Sequence, residues 1–337
     1  MDKSILIINT GGTISSTRSD TGYLPKSGSV AQALANMPAL HHHSMPHFEV
    51  YEYEPLLDSS NMTVKEWNQI ATDISNHYDK YDGFIISHGT DTMAYTASAL
   101  SFMLENLSKP VIITGSQIPL SEVRNDAFDN ILTSLYICAY YPIHEVCIYF
   151  HQRLLRGNRS QKMSAQCFDA FDSPNYPHLA KIGIDIRIKE SLVLPKREGK
   201  FHLQTINQHF IANFRIFPGL SNQVLEYLLQ QPIEGLILET YGAGNAQNNN
   251  AHFLQSLKKA CDKGIIIVNC SQCPVGHVSM DQYATGHTLK NAGLVSGHDM
   301  TPEAAHCKLL YLLSRSTDKH SIKKDIEKNL AGELTLK

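Results

Sequence analysis

Gly83-Phe84-Ile85-Ile86-Ser87-His88-Gly89-Thr90-Asp91-Thr92-Met93 passes from an apolar run into a cluster of polar side chains, and its two halves obey different rules. Phe84 to Ile86 are aromatic or β-branched without interruption, the composition of a strand buried on both faces. From Thr92 to Asn106 the apolar positions move into helical register, with Ala94, Ala97 and Leu104 along one side. A buried strand handing over to a helix is the building unit of an α/β fold. In such folds ligands bind outside the carboxyl ends of the strands, so His88, Gly89, Thr90 and Asp91 stand where chemistry is expected.

The same alternation extends outward in both directions. Ile5 to Asn9, Phe48 to Tyr53, Val111 to Thr114 and Glu145 to Phe150 read as further strands, and Thr63-Val64-Lys65-Glu66 reads as a capping box opening a helix that reaches His77. Strand and helix in alternation predict a larger N-terminal α/β domain, residues 1–188, built on a parallel sheet covered on both faces. The charged, Pro- and Gly-containing stretch Lys189 to Lys200 breaks the pattern, and a linker is expected over 189–209. A smaller C-terminal α/β domain, 210–337, follows. Its strands are Gly235 to Glu239 and Gly264 to Asn269, its helices Asn249 to Asp262 and one capped at Thr301-Pro302-Glu303.

Composition narrows the function classes. The 337 residues carry a net charge of −3, and Lys and Arg are scattered rather than gathered in a stripe, which argues against a nucleic-acid partner. No apolar run approaches the ~18 residues of a membrane span, and the N-terminal one, Ile5 to Ile8, is shorter than a signal-peptide core, so a cytoplasmic protein without a membrane partner is expected. The 7 cysteines are an odd number set mostly in apolar stretches, unlike a secreted disulfide framework. Cys270-Ser271-Gln272-Cys273 has redox or zinc spacing but no second pair, and His41-His42-His43 with His47 lies in a loop with no regular spacing to fix a metal.

A second polar segment follows the first strand: Asn9-Thr10-Gly11-Gly12-Thr13-Ile14-Ser15. It lacks the Lys of a phosphate-binding loop and the spacing of a dinucleotide fingerprint. By itself it reads equally as a structural turn or as a ligand loop whose glycines let a substrate approach the backbone. Likewise Asp91 or Thr92 could do no more than cap the following helix, which leaves Thr90 unexplained.

Thr10-Gly11-Gly12-Thr13-Ile14 and His88-Gly89-Thr90-Asp91-Thr92, in this order and spacing, resemble the two signatures of the bacterial-type L-asparaginases, and the resemblance runs over essentially the whole chain. Met93 to Asn106 and Arg156-Gly157-Asn158-Arg159 are most similar to the cytoplasmic, type I branch. The resemblance implies hydrolysis of L-asparagine to L-aspartate and ammonia through an acyl-enzyme, with no metal or organic cofactor, in a homodimer or homotetramer. Thr13 is the implied nucleophile, supported by Tyr23 on a mobile loop, Ser15 to Gly28, and Lys162 is the implied base beside Thr90 and Asp91. Asp58, Ser59 and Ser60 are implied to bind the charged ends of the amino acid, and Ser116 to contact the departing amide.

The chemistry of these residues agrees with those roles. A threonine hydroxyl is a weak nucleophile until a neighbouring base takes its proton. A carboxylate such as Asp58 or Asp91 can hold an α-ammonium group, the Ser59 hydroxyl and nearby N–H groups an α-carboxylate. The N–H groups of Gly89 and Thr90 suit an oxyanion hole. By resemblance Cys273 matches a position lining an effector pocket for asparagine, but Glu239 stands where a regulatory Arg is expected and Gln161 replaces a small hydroxyl residue. An acidic Glu239 would repel an effector carboxylate, so allostery is not expected. Asn245 is placed to reach that pocket or a neighbouring subunit's site. Two other readings compete: a glutaminase-like or amidotransferase subunit, opposed by a first signature that begins nine residues from the start, and a regulatory asparagine-binding module without turnover, opposed by the intact set Thr13, Tyr23, Thr90, Asp91 and Lys162.

Overall fold

Ser4–Gly11 is apolar on both faces from Ile5 to Ile8, and it lies inside the larger sheet with every residue after Ser4 buried. In the computed structural model, which describes residues 3–20, 22–281 and 284–336, this strand pairs in parallel with His47–Leu57 on one side and Gly83–Ser87 on the other. Val111–Thr114 and Val146–Phe150 extend the parallel run. Asn9 is the register partner of Ser87 and Ser87 that of Thr114. Three neighbouring strands therefore end at one level, and the segments after them emerge side by side.

The parallel arrangement stops at Val146–Phe150. Arg153–Arg156, Ala180–Ile182 and Ile186–Ile188 continue the sheet antiparallel, so the expected parallel sheet carries an antiparallel extension and is a mixed sheet of 8 described strands. The cause is a tight reversal at His151 and Gln152, whose φ angles of 43° and 64° are those of a two-residue hairpin turn. Such turns usually carry Gly or Asn, so nothing in these residue types announced it.

Val64–His77 begins with the expected capping box: the Thr63 side chain accepts from Lys65 N, and Glu66 Oε2 accepts from Thr63 N at 2.8 Å. Its apolar stripe, Val64, Trp67, Ile70, Ala71 and Ile74, is buried. Thr63→Ala is expected to lower the stability of the protein by about 1 kcal/mol, read as a lower urea midpoint at unchanged slope. The helix Met93–Met103 stops short of the predicted Asn106, because Leu104–Glu105 turns into a two-residue strand against His202–Leu203 and Asn106 adopts φ 55°.

The described chain divides into the units Met1–Gln204 and Thr205–Lys337. The start of the stretch expected to be a linker is fastened to the first unit by a buried ion pair. Arg156 Nε lies 2.6 Å from Glu145 Oε2, Arg156 Nη2 donates to Leu192 O at 2.6 Å, and Leu194 N donates to Glu145 Oε1 at 2.7 Å.

The second unit has its own parallel sheet, ordered Ile211–Arg215, Gly235–Thr240, Ile266–Ser271, Val295–Ser296. Asn250 caps Ala251–Asp262 by accepting from Phe253 N, and Thr301 caps Pro302–Arg315 by accepting from Ala304 N. The strand expected from Gly264 begins instead at Ile266, because Gly264 and Ile265 donate back to Cys261 O and Ala260 O to close the helix. Leu236, Leu238, Phe253, Leu257 and Ile267 form its core. Among the described residues no helix is long and apolar enough to cross a membrane. All the cysteines are free.

Candidate active site

Glycines bring the strand-end loops of the first unit into backbone contact. A Cβ built on Gly12 would lie 2.4 Å from Gly89 Cα, one on Gly89 would lie 2.4 Å from Ser59 Oγ, and one on Gly115 would lie 2.4 Å from His88 O. Only residues without a side chain permit such approach. Two hydroxyls reinforce it: Thr10 Oγ1 donates to Ser87 O at 2.8 Å, and Thr92 Oγ1 donates to Ser59 O at 2.7 Å. Thr13 and Thr90 each follow one of the touching glycines, so the two signatures form one locus.

Thr90 is buried at the floor of that locus. Lys162 Nζ donates to Thr90 Oγ1 at 2.8 Å and sits 2.6 Å from Asp91 Oδ1. Lys162 reaches it from the short strand Gln161–Lys162, which pairs with Phe171–Asp172. Because the Asp91 side chain is 64% exposed, this ion pair contributes little to stability and serves chiefly to orient the ammonium. Helix capping accounts for neither acidic nor hydroxyl residue here. Thr92 occupies the N-cap position of Met93–Met103 but makes no cap bond, and Asp91 faces Lys162.

Thr13 opens a short helical turn, Thr13–Ser15, and among the described residues its Oγ1 has no hydrogen-bond partner in the chain. Ser59 is buried, while Asp58 and Ser60 are exposed. Asp58 Oδ1 accepts from Ser60 N at 3.0 Å and so shapes the turn Ser59–Asn61. Ser116 is 1% exposed, and its Oγ has no partner among the described residues.

Tyr23 stands apart from this group. It lies 47% exposed on the hairpin Ser16–Ser19 and Gly22–Pro25, its ring 5.9 Å from the Arg18 guanidinium. Arg18 Nε in turn pairs with Glu122 Oε1 at 2.7 Å. No hydrogen bond joins Tyr23 to Thr13 among the described residues. The base of the loop is held by Glu52, which accepts from Gly28 N and, at 2.7 Å, from Asn9 Nδ2.

Residues 4–194 match the family model described as Asparaginase, N-terminal, and residues 211–325 match the Glutaminase/Asparaginase C-terminal domain. The chain belongs to the asparaginase family. It is 53% identical over 333 residues to L-asparaginase 1 of Escherichia coli strain K12, covering 99% of this chain and 98% of that protein. The crystal structure of L-asparaginase I from Vibrio cholerae O1 biovar eltor matches with a TM-score of 0.94 at 47% identity, over 100% of both chains. A glutamyl-tRNA(Gln) amidotransferase subunit of Methanobrevibacter smithii is 34% identical over 346 residues, covering 99% of this chain and 78% of that one.

In this asparaginase-family chain the first site also contains residues that the sequence reading passed over. Asp126 accepts from Gln117 N and Ile118 N, each at 3.0 Å, and Asn130 Nδ2 donates to Gly115 O at 2.9 Å, which fixes the loop carrying Ser116. Asn125-Asp126 before an apolar helix reads as a cap, yet Asp126 makes no cap bond. His88 is wholly buried, and burial pushes its imidazole down to about 4, so the ring is neutral.

In the asparaginase C-terminal unit, Glu239 is the penultimate residue of the strand Gly235–Thr240 and lies 3.9 Å from Arg215, and partial burial raises its carboxyl above the usual range. Asn245 bridges to Tyr241, whose N–H donates to Asn245 O at 2.9 Å. Cys270 is buried with its thiol pushed up by desolvation, whereas Cys273 is exposed. Among the described residues no group of three or more His, Cys, Asp or Glu side chains suits a metal ion.

Proposed function

We propose that this chain is an amidohydrolase converting L-asparagine to L-aspartate and ammonia, acting as a homodimer or homotetramer in the cytoplasm. The observation that carries the reading is the joined locus: Gly12, which precedes Thr13, lies against Gly89, which precedes Thr90 of the Thr90–Lys162–Asp91 hydrogen-bond chain. The relatives named L-asparaginase supply the substrate. Thr13 Oγ1 attacks the side-chain amide carbon and the oxyanion collects on the N–H groups of Gly89 and Thr90, a donor of this kind contributing about 3 kcal/mol to the transition state. In its neutral form Lys162 takes the Thr13 proton through Thr90 Oγ1 and returns it to the departing nitrogen, ammonia leaves past Ser116, and water hydrolyses the resulting ester to aspartate and free Thr13. Ser59 receives the α-carboxylate, while Asp58 and Asp91 receive the α-ammonium.

Tyr23 joins Thr13 when the hairpin that carries both Tyr23 and Arg18 releases Glu122 and closes as a lid over substrate. Glu239, Asn245 and Cys273 belong to a surface of the second unit that faces an effector or a neighbouring subunit, and the acidic Glu239 predicts that asparagine is no effector. A second reading, an ammonia-supplying subunit, is favoured by the identity to the Methanobrevibacter smithii amidotransferase chain. The test is a steady-state rate curve on purified protein with L-asparagine, and L-glutamine in parallel. Equimolar aspartate and ammonia with a hyperbolic dependence are expected. A folded protein releasing no ammonia from asparagine overturns the function, and a sigmoidal curve overturns the reading of Glu239.

A further inference from the structure

Close to Thr90 in the fold, three buried polar side chains, on two helices and the loop after Gly83–Ser87, form an unbroken chain. Trp67, on Val64–His77, donates from Nε1 to Thr96 Oγ1 at 3.0 Å. Thr96, on Met93–Met103, lies 2.8 Å from His88 Nε2, and His88 Nδ1 lies 2.6 Å from Gly89 O. Trp67 is 6% exposed and the other two are 0% exposed. Three partnered polar groups in a hydrocarbon interior are costly to keep if a simple apolar contact would serve.

The direction of each hydrogen bond follows from donor inventory. Gly89 O can only accept, so His88 Nδ1 carries the proton. In the neutral ring Nε2 is then an acceptor. Met62 Sδ, 3.1 Å from Nε2, offers it no proton, so the Thr96 hydroxyl is the donor. Trp67, a donor only, takes a lone pair of Thr96 and leaves its one proton, for which His88 Nε2 at 2.8 Å is the nearer and stronger acceptor than Met62 Sδ at 3.7 Å. The chain thus runs one way: Trp67 to Thr96, Thr96 to His88, His88 to Gly89 O.

The last link bears on the peptide that the first site uses. The Gly89–Thr90 bond is trans, so its C=O and N–H point in opposite directions. Holding Gly89 O against the His88 ring turns the Thr90 N–H outward, and among the described residues no acceptor in the chain takes that N–H. We infer that Trp67, Thr96 and His88 are positioning residues that hold the Gly89–Thr90 peptide with its N–H aimed at the developing oxyanion. The inference rests on the function proposed above and extends it to groups that touch no substrate. Gly89 has no side chain to lock its own dihedrals, so the peptide needs an external anchor.

Thr96→Val removes both hydrogen bonds at nearly constant volume, and Thr96→Ser restores them. With L-asparagine, Thr96→Val is expected to lower kcat by about 10- to 100-fold with KM changed less than about twofold, since a misaligned donor loses transition-state stabilisation rather than binding. Thr96→Ser is expected to recover kcat to within about threefold of the parent. The nitrogen-15 spectrum of the imidazoles gives an independent readout that loss of packing alone would not mimic. His88, assigned by the signal lost in His88→Asn, should show a protonated Nδ1 and an unprotonated Nε2 in the parent protein. An Nε2-protonated ring in the parent, or a folded Thr96→Val variant with parental kcat, overturns the inference. Absence of asparagine turnover in the parent would instead overturn the proposed function, and the ring spectrum would still report the anchor.

Discussion

Thr13→Ala is expected to reduce kcat for L-asparagine by about 10³-fold or more, because removing the nucleophile of a covalent mechanism leaves only binding and oxyanion stabilisation. Stability should change little: Thr13 is only partly buried and its hydroxyl has no partner among the described residues, so no internal hydrogen bond is broken. Thr90→Val makes the complementary case. Thr90 Oγ1 accepts from Lys162 at 2.8 Å, and a valine there leaves the ammonium held by Asp91 alone. If Thr13 makes the first attack, rapid mixing should show a residual burst of ammonia with Thr90→Val and none with Thr13→Ala. The double variant should be scarcely worse than Thr13→Ala, since groups that act as a unit are not additive. A Thr13→Ala protein that keeps more than about a tenth of parental kcat would remove Thr13 from the chemistry.

Gly12→Ala is expected to do comparable damage without touching any reacting group. Gly12 has φ 84° and ψ −173°, a region reserved for glycine and strained for other residues by about 1–3 kcal/mol. The new methyl would also lie 2.4 Å from Gly89 Cα and Gly89 N, and backbone cannot yield as a flexible side chain can. The two loops must part, carrying Thr13 away from Thr90. A displacement near 1 Å costs about 10²-fold in rate. Gly219→Ala separates the two effects, since φ there is 83° with nothing within 4 Å of the added Cβ. It should share the strain and lower the urea midpoint while leaving kcat unchanged. A Gly12→Ala variant with parental kcat would show that contact between the loops does not set the geometry of the site.

Several elements could be read from residue types because their causes are local. Thr63 and Glu66 close a capping box within one turn, and Ile5 to Ile8 or Phe84 to Ile86 have no alternative to a doubly covered strand. The antiparallel edge of the larger sheet could not be read, because His151 and Gln152 adopt left-handed angles that their side chains do not advertise. The end of Met93–Met103 was missed for a different reason. The competing partner of Leu104–Glu105 is His202–Leu203, far away in the chain.

The site divides in the same way. The strand-end rule pointed to the segments that carry Thr13 and Thr90 but left the first open as a turn, and the resemblance alone singled out Thr13 and Lys162, the latter with two short contacts that span 72 and 71 residues. Nothing in the local pattern marks Asp126 or Thr96. Their partners lie on other elements, so their roles became visible only in three dimensions.

Thr92 turns its hydroxyl sideways to Ser59 and leaves the first turn of Met93–Met103 without a side-chain cap. The uncompensated amides at that end amount to roughly half a positive elementary charge, directly after Thr90 and Asp91 in the chain. This charge belongs to the backbone and has no proton to lose. It is as strong in alkali as in acid, and for a helix buried along most of its length dissolved salt screens it weakly. Part of the attraction for a developing anion is therefore permanent, and neither titration nor ionic strength can switch it off.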